Sequence, residues 1–322
     1  MVDQTVHASS HSETKHNLDE DEVRNSYIVL LPFSYIKQEK FENKSILAKI
    51  WCAFDHWFNV PKNKFIKITG VSEKIYTVGL LTDDVTDDSE LRGGIPTAHL
   101  IYGVARTCNV TNYVLLTEMD KLLDLQEPKV IDYFIEMGLE LVRSQGLDIY
   151  YRNKCICPTE SEYVEFARGK FTPLVTFVVR LLQLFSNNKT TDFSVLIEKL
   201  SLFCQIYNDY LSLHSKKYST LKTFCDDVSE GKFSFPIIHA IRSQPNDVRI
   251  LNILKQKTRD IEIKKHFVCL LEKFGSFEYT RKKLEKLRDE AIEEMNRIGK
   301  NPRMEEIFKI MLNNLENEVN CD

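Results

Sequence analysis

The chain has 322 residues, and its 43% hydrophobic and 28% charged content is that of a globular protein with a sizeable core, in one large domain or two ordinary ones. A net charge of −4 gives no footing for nucleic-acid binding, and no apolar run of about 18 residues is present to span a membrane. With 11 glycines and 9 prolines, long helices are favoured over turn-rich β structure, and eight cysteines without a C-x-x-C pair read as the reduced thiols of a cytoplasmic protein.

In chain order, residues 1–22 are polar and end in Asp19-Glu20-Asp21-Glu22, a tail by composition with neither a secretory apolar region nor the acid-poor pattern of a transit peptide. A first helix is expected over 25–40, interrupted near Pro32, and a second over 45–57, where Ile46, Leu47, Ile50, Trp51 and Phe54 form a core-facing stripe. Pro61 separates this from a helix over 65–82 that runs into an acidic segment, and Gly93-Gly94-Ile95-Pro96 closes the region. Helices follow over 104–125 and 130–151. Thr159 and Glu162 form a capping-box pattern at the head of a helix over 159–185, broken near Pro173. A long apolar helix covers 193–213, residues 222–236 read as a loop, and helical periodicity continues from Arg249 to the end. No strand-like alternation persists, so the chain is read as all-α, with a single domain over 23–322.

The segment Leu80-Leu81-Thr82-Asp83-Asp84-Val85-Thr86-Asp87 carries three carboxylates at i, i+1 and i+4. On a helix they project together, and a hard divalent cation such as Mg²⁺ would offset their repulsion. Taken alone, such a run is equally the solvated end of a core helix. A second oxygen-bearing face lies on the helix ending at Leu213, where Asn208, Ser212 and Lys216 stack at i, i+4 and i+8 beside Gln205 and Asp209. Asn, Asp and Ser all supply oxygens that suit Mg²⁺. Lys170, Lys222 and Lys232 are candidates for phosphate oxygens, although any one loop lysine is more commonly just solvated.

Several longer segments carry a resemblance: Ala53-Phe54-Asp55-His56-Trp57, the Leu80–Asp87 run, Gln145-Gly146-Leu147-Asp148-Ile149-Tyr150, Gln183-Leu184-Phe185-Ser186, Glu230-Gly231-Lys232-Phe233-Ser234-Phe235-Pro236 and Gly275-Ser276-Phe277-Glu278-Tyr279-Thr280. Together they resemble the trans-prenyl diphosphate synthases of the animal geranylgeranyl diphosphate synthase type, over nearly the whole chain after the tail. The resemblance implies an isoprenoid synthase fold, a helical bundle around a central cavity, and a homodimer. It also implies three Mg²⁺ ions held by Asp83, Asp84, Asp87, Asn208, Asp209 and Ser212. The allylic diphosphate would be met by Arg92, Lys170, Gln205, Lys222 and Lys232.

The departures from the family pattern bear on the reaction. Such synthases hold isopentenyl diphosphate in a separate basic pocket built on a Gly-Lys-x-x-Arg element, a His before the first aspartates and a tandem arginine after them. Here the first element reads Asn43-Lys44-Ser45-Ile46-Leu47, the His position is Tyr76, and the arginine pair is Arg92-Gly93. Lys44 and Tyr76 are what remains of the pocket. At about 1.5–3 kcal/mol for each charge-assisted contact, losing two or three lowers acceptor affinity on the order of a thousandfold. The second aspartate motif reads Asn208-Asp209-Tyr210-Leu211-Ser212, similar to part of the Asn/Ser/Glu motif of terpene synthases, with Lys216 where the Glu is expected; the usual Lys-Thr pair is Lys170-Phe171. The expectation is a terpene synthase of the insect type, ionising an allylic diphosphate such as geranyl diphosphate and releasing an acyclic terpene such as ocimene. The alternatives are a working prenyl diphosphate synthase and, opposed by the intact aspartates, a non-catalytic partner of one. Val78 and Gly79, just upstream of the aspartates, do not discriminate substrate length.

Overall fold

The computed structural model describes residues 20–37, 42–215 and 218–319; Lys216 and most of the N-terminal tail lie outside them. The helices are α1 (Glu20–Lys37), α2 (Glu42–Phe58), α3 (Lys62–Asp87), α4 (Ala98–Tyr102), α5 (Val104–Leu123), α6 (Lys129–Lys154), α7 (Glu160–Leu184) and α8 (Ser194–His214). The short α9 (Tyr218–Leu221), α10 (Asp226–Glu230), α11 (Phe235–Ser243) and α12 (Arg249–Gln256) lead into α13 (Ile261–Lys273), α14 (Ser276–Ile298) and α15 (Pro302–Val319). Among the described residues the fold is all-α apart from one two-stranded hairpin, β1 (Leu91–Arg92) against β2 (Ile95–Pro96). Its turn is Gly93-Gly94, both at positive φ (65° and 82°), the backbone that a two-residue hairpin connection demands.

Three long helices build the frame. α3 and α6 each run 26 residues and α7 runs 25, roughly 38 Å apiece. α3 packs on α5 and α7, α7 packs on α6 and α8, and α14 covers the outer side of α8. α3 buries Ile68, Val71, Ile75, Val78 and Leu81 on one stripe. It then runs five residues past the expected end at 82, so the aspartates occupy its last two turns. α1 begins at Glu20, inside the segment read as tail, and passes through Pro32 without a break. α7 likewise continues through Pro173, which is buried within it. A proline there forfeits one helical hydrogen bond, and packing against α6 and α8 holds the helix together. The capping box at Thr159 is present: its hydroxyl accepts from the Glu162 amide, and the Glu162 carboxylate accepts from the Thr159 amide. Where a loop was expected over 222–236, the one-turn helix α10 forms.

At Gly169 α6 and α7 pack closely. A Cβ there would lie 2.5 Å from Ser144 Cβ, while Ser144 Oγ donates to the Phe166 carbonyl at 2.6 Å. Among the described residues no helix is long and apolar enough to cross a membrane.

Candidate active site

A cavity of about 350 Å³ opens between α2, α3, α5, α6, α7, α8 and α15. Its mouth is lined by Asp83, Arg92, Lys170, Asn208, Asp209, Ser212, Lys222, Asp227 and Lys232, so residues from both predicted motifs and all three predicted lysines converge.

The three aspartates of α3 do not project together. Asp83 faces the cavity, whereas Asp84 and Asp87 are buried behind it, 1% and 6% exposed. Asp84 is paired with Arg92, whose Nε donates to Asp84 Oδ1 at 2.9 Å and whose Nη2 lies 3.5 Å from Asp83 Oδ2. The other oxygen of Asp84, Oδ2, is buried without a hydrogen-bond partner. Asp87 accepts from Arg152 Nη1 at 2.5 Å, and Arg152 Nη2 donates to the Thr86 carbonyl at 2.8 Å. Gln145 Nε2 donates to Thr86 Oγ1 at 2.8 Å, completing a clamp from α6 onto the last turn of α3.

The charges are unevenly distributed. Burial pushes the Asp83 carboxyl up, but Lys170, Lys232, Arg92 and Lys222 outweigh it and hold the group below the usual carboxylate range. Burial, with the charge of Asp83, pushes Asp87 up to about 6, against the pull of Lys232 and Arg152. Asp84 is raised by burial in spite of Arg92. Lys170 is ion-paired with the buried Asp148. Burial would lower Lys170 and Lys232, yet surrounding carboxylates, Asp148 first for Lys170 and Asp227 first for Lys232, raise both and keep them charged.

On the second side, Asp209 is 2% exposed and serves the scaffold. Its Oδ2 accepts from Tyr163 OH at 2.6 Å and from the Phe235 amide at 2.9 Å, tying α8 to α7 and to the head of α11; its Oδ1 accepts from Gln205 Nε2 at 2.9 Å. Asp209 is thus held by protein partners before any ligand arrives, while both it and Gln205 line the cavity. Ser212 Oγ donates to Asp227 Oδ2 at 2.6 Å, and Lys232 Nζ stands 3.8 Å from Asp227 Oδ1. Lys222 Nζ is 3.9 Å from Asp226 Oδ2. Lys44 lies in the first turn of α2, with its side chain outside the described residues.

Arg152, Asp148, Asp227 and Gln145 were not identified as site residues from sequence. Asp148 and Gln145 lie in one of the family-like segments, and Asp227 sits five residues before Lys232 in what read as a loop. Arg152 carried no such signal.

Both acidic faces sit at helix C-termini: Asp83, Asp84 and Asp87 end α3, and Asn208, Asp209 and Ser212 lie in the last two turns of α8. A C-terminus is the negative pole of the helix dipole and disfavours carboxylates and phosphates alike, so a diphosphate seated between these ends must arrive with cations. Among the described residues no three His, Cys, Asp or Glu side chains converge tightly enough to enclose an ion by themselves. The donor set is nevertheless all hard oxygen, which suits Mg²⁺ completed by substrate phosphate oxygens and water. Deeper, the wall is apolar. Leu115, Phe134, Met137 and Leu141 come from α5 and α6, and Ile46, Leu47, Ile50 and Met311 come from α2 and α15. Tyr76 and Phe171 meet edge to face between these two parts, centroids 6.5 Å apart at 73°.

The chain is an all-α frame around a cavity with a cationic, carboxylate-lined mouth and an apolar interior. The sequence pattern of the polyprenyl synthetase family matches residues 32–271, and the chain belongs to that family. It is similar to a terpene synthase of Matsumurasca onukii, 46% identical over 88% of this chain and 93% of the relative. It is also similar to geranylgeranyl pyrophosphate synthases of Mucor circinelloides f. lusitanicus (38% identical, 94% of this chain and 96% of the relative) and Dictyostelium discoideum (40% identical, 91% and 95%). The chain is thus an enzyme of isoprenoid biosynthesis with the isoprenoid synthase fold, related both to a terpene synthase and to geranylgeranyl diphosphate synthases.

Proposed function

We propose that this enzyme is a Mg²⁺-dependent terpene synthase that takes an allylic prenyl diphosphate, geranyl diphosphate first among them, and releases diphosphate and an acyclic terpene such as ocimene. One observation carries the reading: Leu47 and Tyr76 stand in the cavity wall at two positions where the family's acceptor pocket holds cations, and Leu47 is 2% exposed among apolar neighbours. A second diphosphate would meet hydrocarbon there. The 46% identity to a terpene synthase supports the same choice.

In this reading Lys170, Lys222 and Lys232 would bind the diphosphate oxygens, and Asp83 on one side and Asn208, Ser212 and Asp227 on the other would hold three Mg²⁺ ions together with diphosphate oxygens and water. The ions supply Lewis-acid charge that stabilises the departing diphosphate. The allylic C–O bond breaks with its electron pair leaving on diphosphate, a step favoured by the fixed positive field of the lysines in a site of low dielectric. The π faces of Tyr76 and Phe171 border the space of the allylic cation. Loss of a proton from an adjacent carbon then gives the hydrocarbon.

The closest competing reading is a geranylgeranyl diphosphate synthase, favoured by the 38% and 40% identical relatives of that name. Incubation of the pure protein with geranyl diphosphate and Mg²⁺, followed by gas chromatography, separates the two; no hydrocarbon, or hydrocarbon undiminished by a chelator, would refute the proposal. We further propose a cytoplasmic homodimer joined through α5 and α6, whose exposed Leu116, Ile131, Ile135, Leu139 and Val142 form an apolar face. Sedimentation at the single-chain mass of 37.6 kDa at micromolar concentration would count against the dimer.

A further inference from the structure

The two faces of the mouth are joined by the connection between α3 and α4. α3 packs mainly on α5 and α7 and has no extensive contact with α8 or α10, which carry the second face. Residues 88–97 form the bridge. Ser89 Oγ donates to Glu230 Oε1 at the end of α10, at 3.2 Å, and the Gly94 amide donates to the Leu221 carbonyl, beside Lys222, at 2.9 Å. The bridge is braced from within: Thr97 Oγ1 donates to the Ser89 carbonyl at 2.8 Å, and the Ser89 amide donates to the Asp84 carbonyl at 3.0 Å. Ser89, Thr97 and Glu230 are each 3% exposed or less. Beyond Glu230, Gly231 caps α10 at a φ of 73°, and the Lys232 amide donates back to the Asp227 carbonyl at 2.9 Å. Asp227 and Lys232, both on the cavity mouth, are held to Glu230 by this short turn.

We infer that Glu230 is a positioning residue: through its buried bond to Ser89 it fixes α10, with Asp227 and Lys232, against the aspartate end of α3, and so sets the gap that a diphosphate and its cations fill. The inference rests on the diphosphate site of the reading above, and holds whether the product is a terpene or a longer diphosphate. Glu230 itself lies outside the cavity lining. Among the described residues it forms no ion pair, and its Oε2 is buried without a hydrogen-bond partner. A buried carboxylate without a paired cation is costly. Burial, with the charge of Asp87 adding to it, holds this carboxyl well above the usual carboxylate range, against the pull of Lys222 and Lys232. Glu230 therefore works as a strut that accepts from the Ser89 hydroxyl, and not as a counter-charge for the lysines. Without the bond, Asp227 and Lys232 remain present but are free to shift relative to Asp83, and a displacement of about 1 Å is strongly felt at such a site.

The test is calorimetric titration of the full chain with inorganic pyrophosphate in the presence of Mg²⁺, run well below the melting temperature of each variant. Glu230→Ala and Ser89→Ala should each weaken pyrophosphate binding about tenfold, and the double variant should be no weaker than Glu230→Ala, because both changes remove the same bond. Glu230→Gln, the conservative variant, keeps the acceptor oxygen and should retain affinity within about twofold. A purely structural bond would lower the melting temperature and leave the affinity of the still-folded protein unchanged; that result in both alanine variants would overturn the inference. Glu230→Gln binding as weakly as Glu230→Ala would also overturn it, since the carboxylate charge would then be what matters. Should Glu230→Ala fail to fold, Ser89→Ala set against Glu230→Gln carries the same comparison. Wild type that binds no pyrophosphate with Mg²⁺ would instead remove the diphosphate site on which the inference rests.

Discussion

Arg152 Nη1 on α6 donates to Asp87 Oδ1 on α3 at 2.5 Å, an ion pair 65 residues apart in sequence with both side chains nearly inaccessible. It fixes the last turn of α3 before any ligand arrives. Breaking such a pair from one side strands a buried charge, typically at a cost of about 3–5 kcal/mol. Arg152→Met should therefore lower the unfolding free energy by that order in denaturant titration. Adding Asp87→Asn should recover much of the loss, because the stranded carboxylate is then gone.

Asp83 and Asp209 should behave oppositely. Asp83 faces the cavity with its charge secured by lysines, so Asp83→Asn should reduce diphosphate release about a thousandfold while leaving thermal unfolding nearly unchanged. Asp209→Ala leaves Tyr163 OH and the Phe235 amide without their acceptor and should cost about 2–4 kcal/mol of stability. Calorimetry beside the activity assay distinguishes the two.

Stability should also fall in mild acid through His214. Burial, with the charge of Arg281 adding to it, lowers this imidazole from 6.5 to about 4, where it packs 4.7 Å from the Phe277 ring. The unfolded chain therefore binds the proton first. The contribution is fully present above pH 6.5 and is lost progressively as pH falls toward 4. Melting temperatures between pH 7 and pH 4.5 should fall more steeply for wild type than for His214→Phe, which keeps the ring contact and cannot charge.

The sequence carried the helical frame because its apolar stripes have helical spacing over long windows, as in α3 and α8. It also located the second acidic face, Lys170 and Lys232. It misjudged Pro32 and Pro173, where propensity predicts a break and tertiary packing overrides it. It placed three carboxylates on one face, whereas i and i+1 are separated by about 100° on a helix, which buries Asp84 against Arg92. Arg152 and Asp227 escaped because their roles come from contacts between distant segments: α6 with the end of α3, and α10 with Ser212. Such pairings have no local periodicity to betray them.

Restoring the acceptor cations should restore part of the acceptor site. Leu47→Arg with Tyr76→His is expected to tighten isopentenyl diphosphate binding about tenfold to a hundredfold per group, measured by calorimetric titration. The buried arginine has no partner in the free protein, so the double variant should melt below wild type and regain stability when diphosphate is added. Gly93 is left unchanged in this variant because its φ of 65° would place an arginine in strained backbone.

In the proposed reaction the cavity ionises an allylic diphosphate with no acceptor beside it. Its most direct test is one reaction containing wild-type protein, Mg²⁺, geranyl diphosphate and radiolabelled isopentenyl diphosphate in equal amounts, resolved into volatile and diphosphate fractions. An unlabelled acyclic hydrocarbon and no label in any longer prenyl diphosphate are expected. Label accumulating in a fifteen- or twenty-carbon diphosphate, with no hydrocarbon formed, would contradict it.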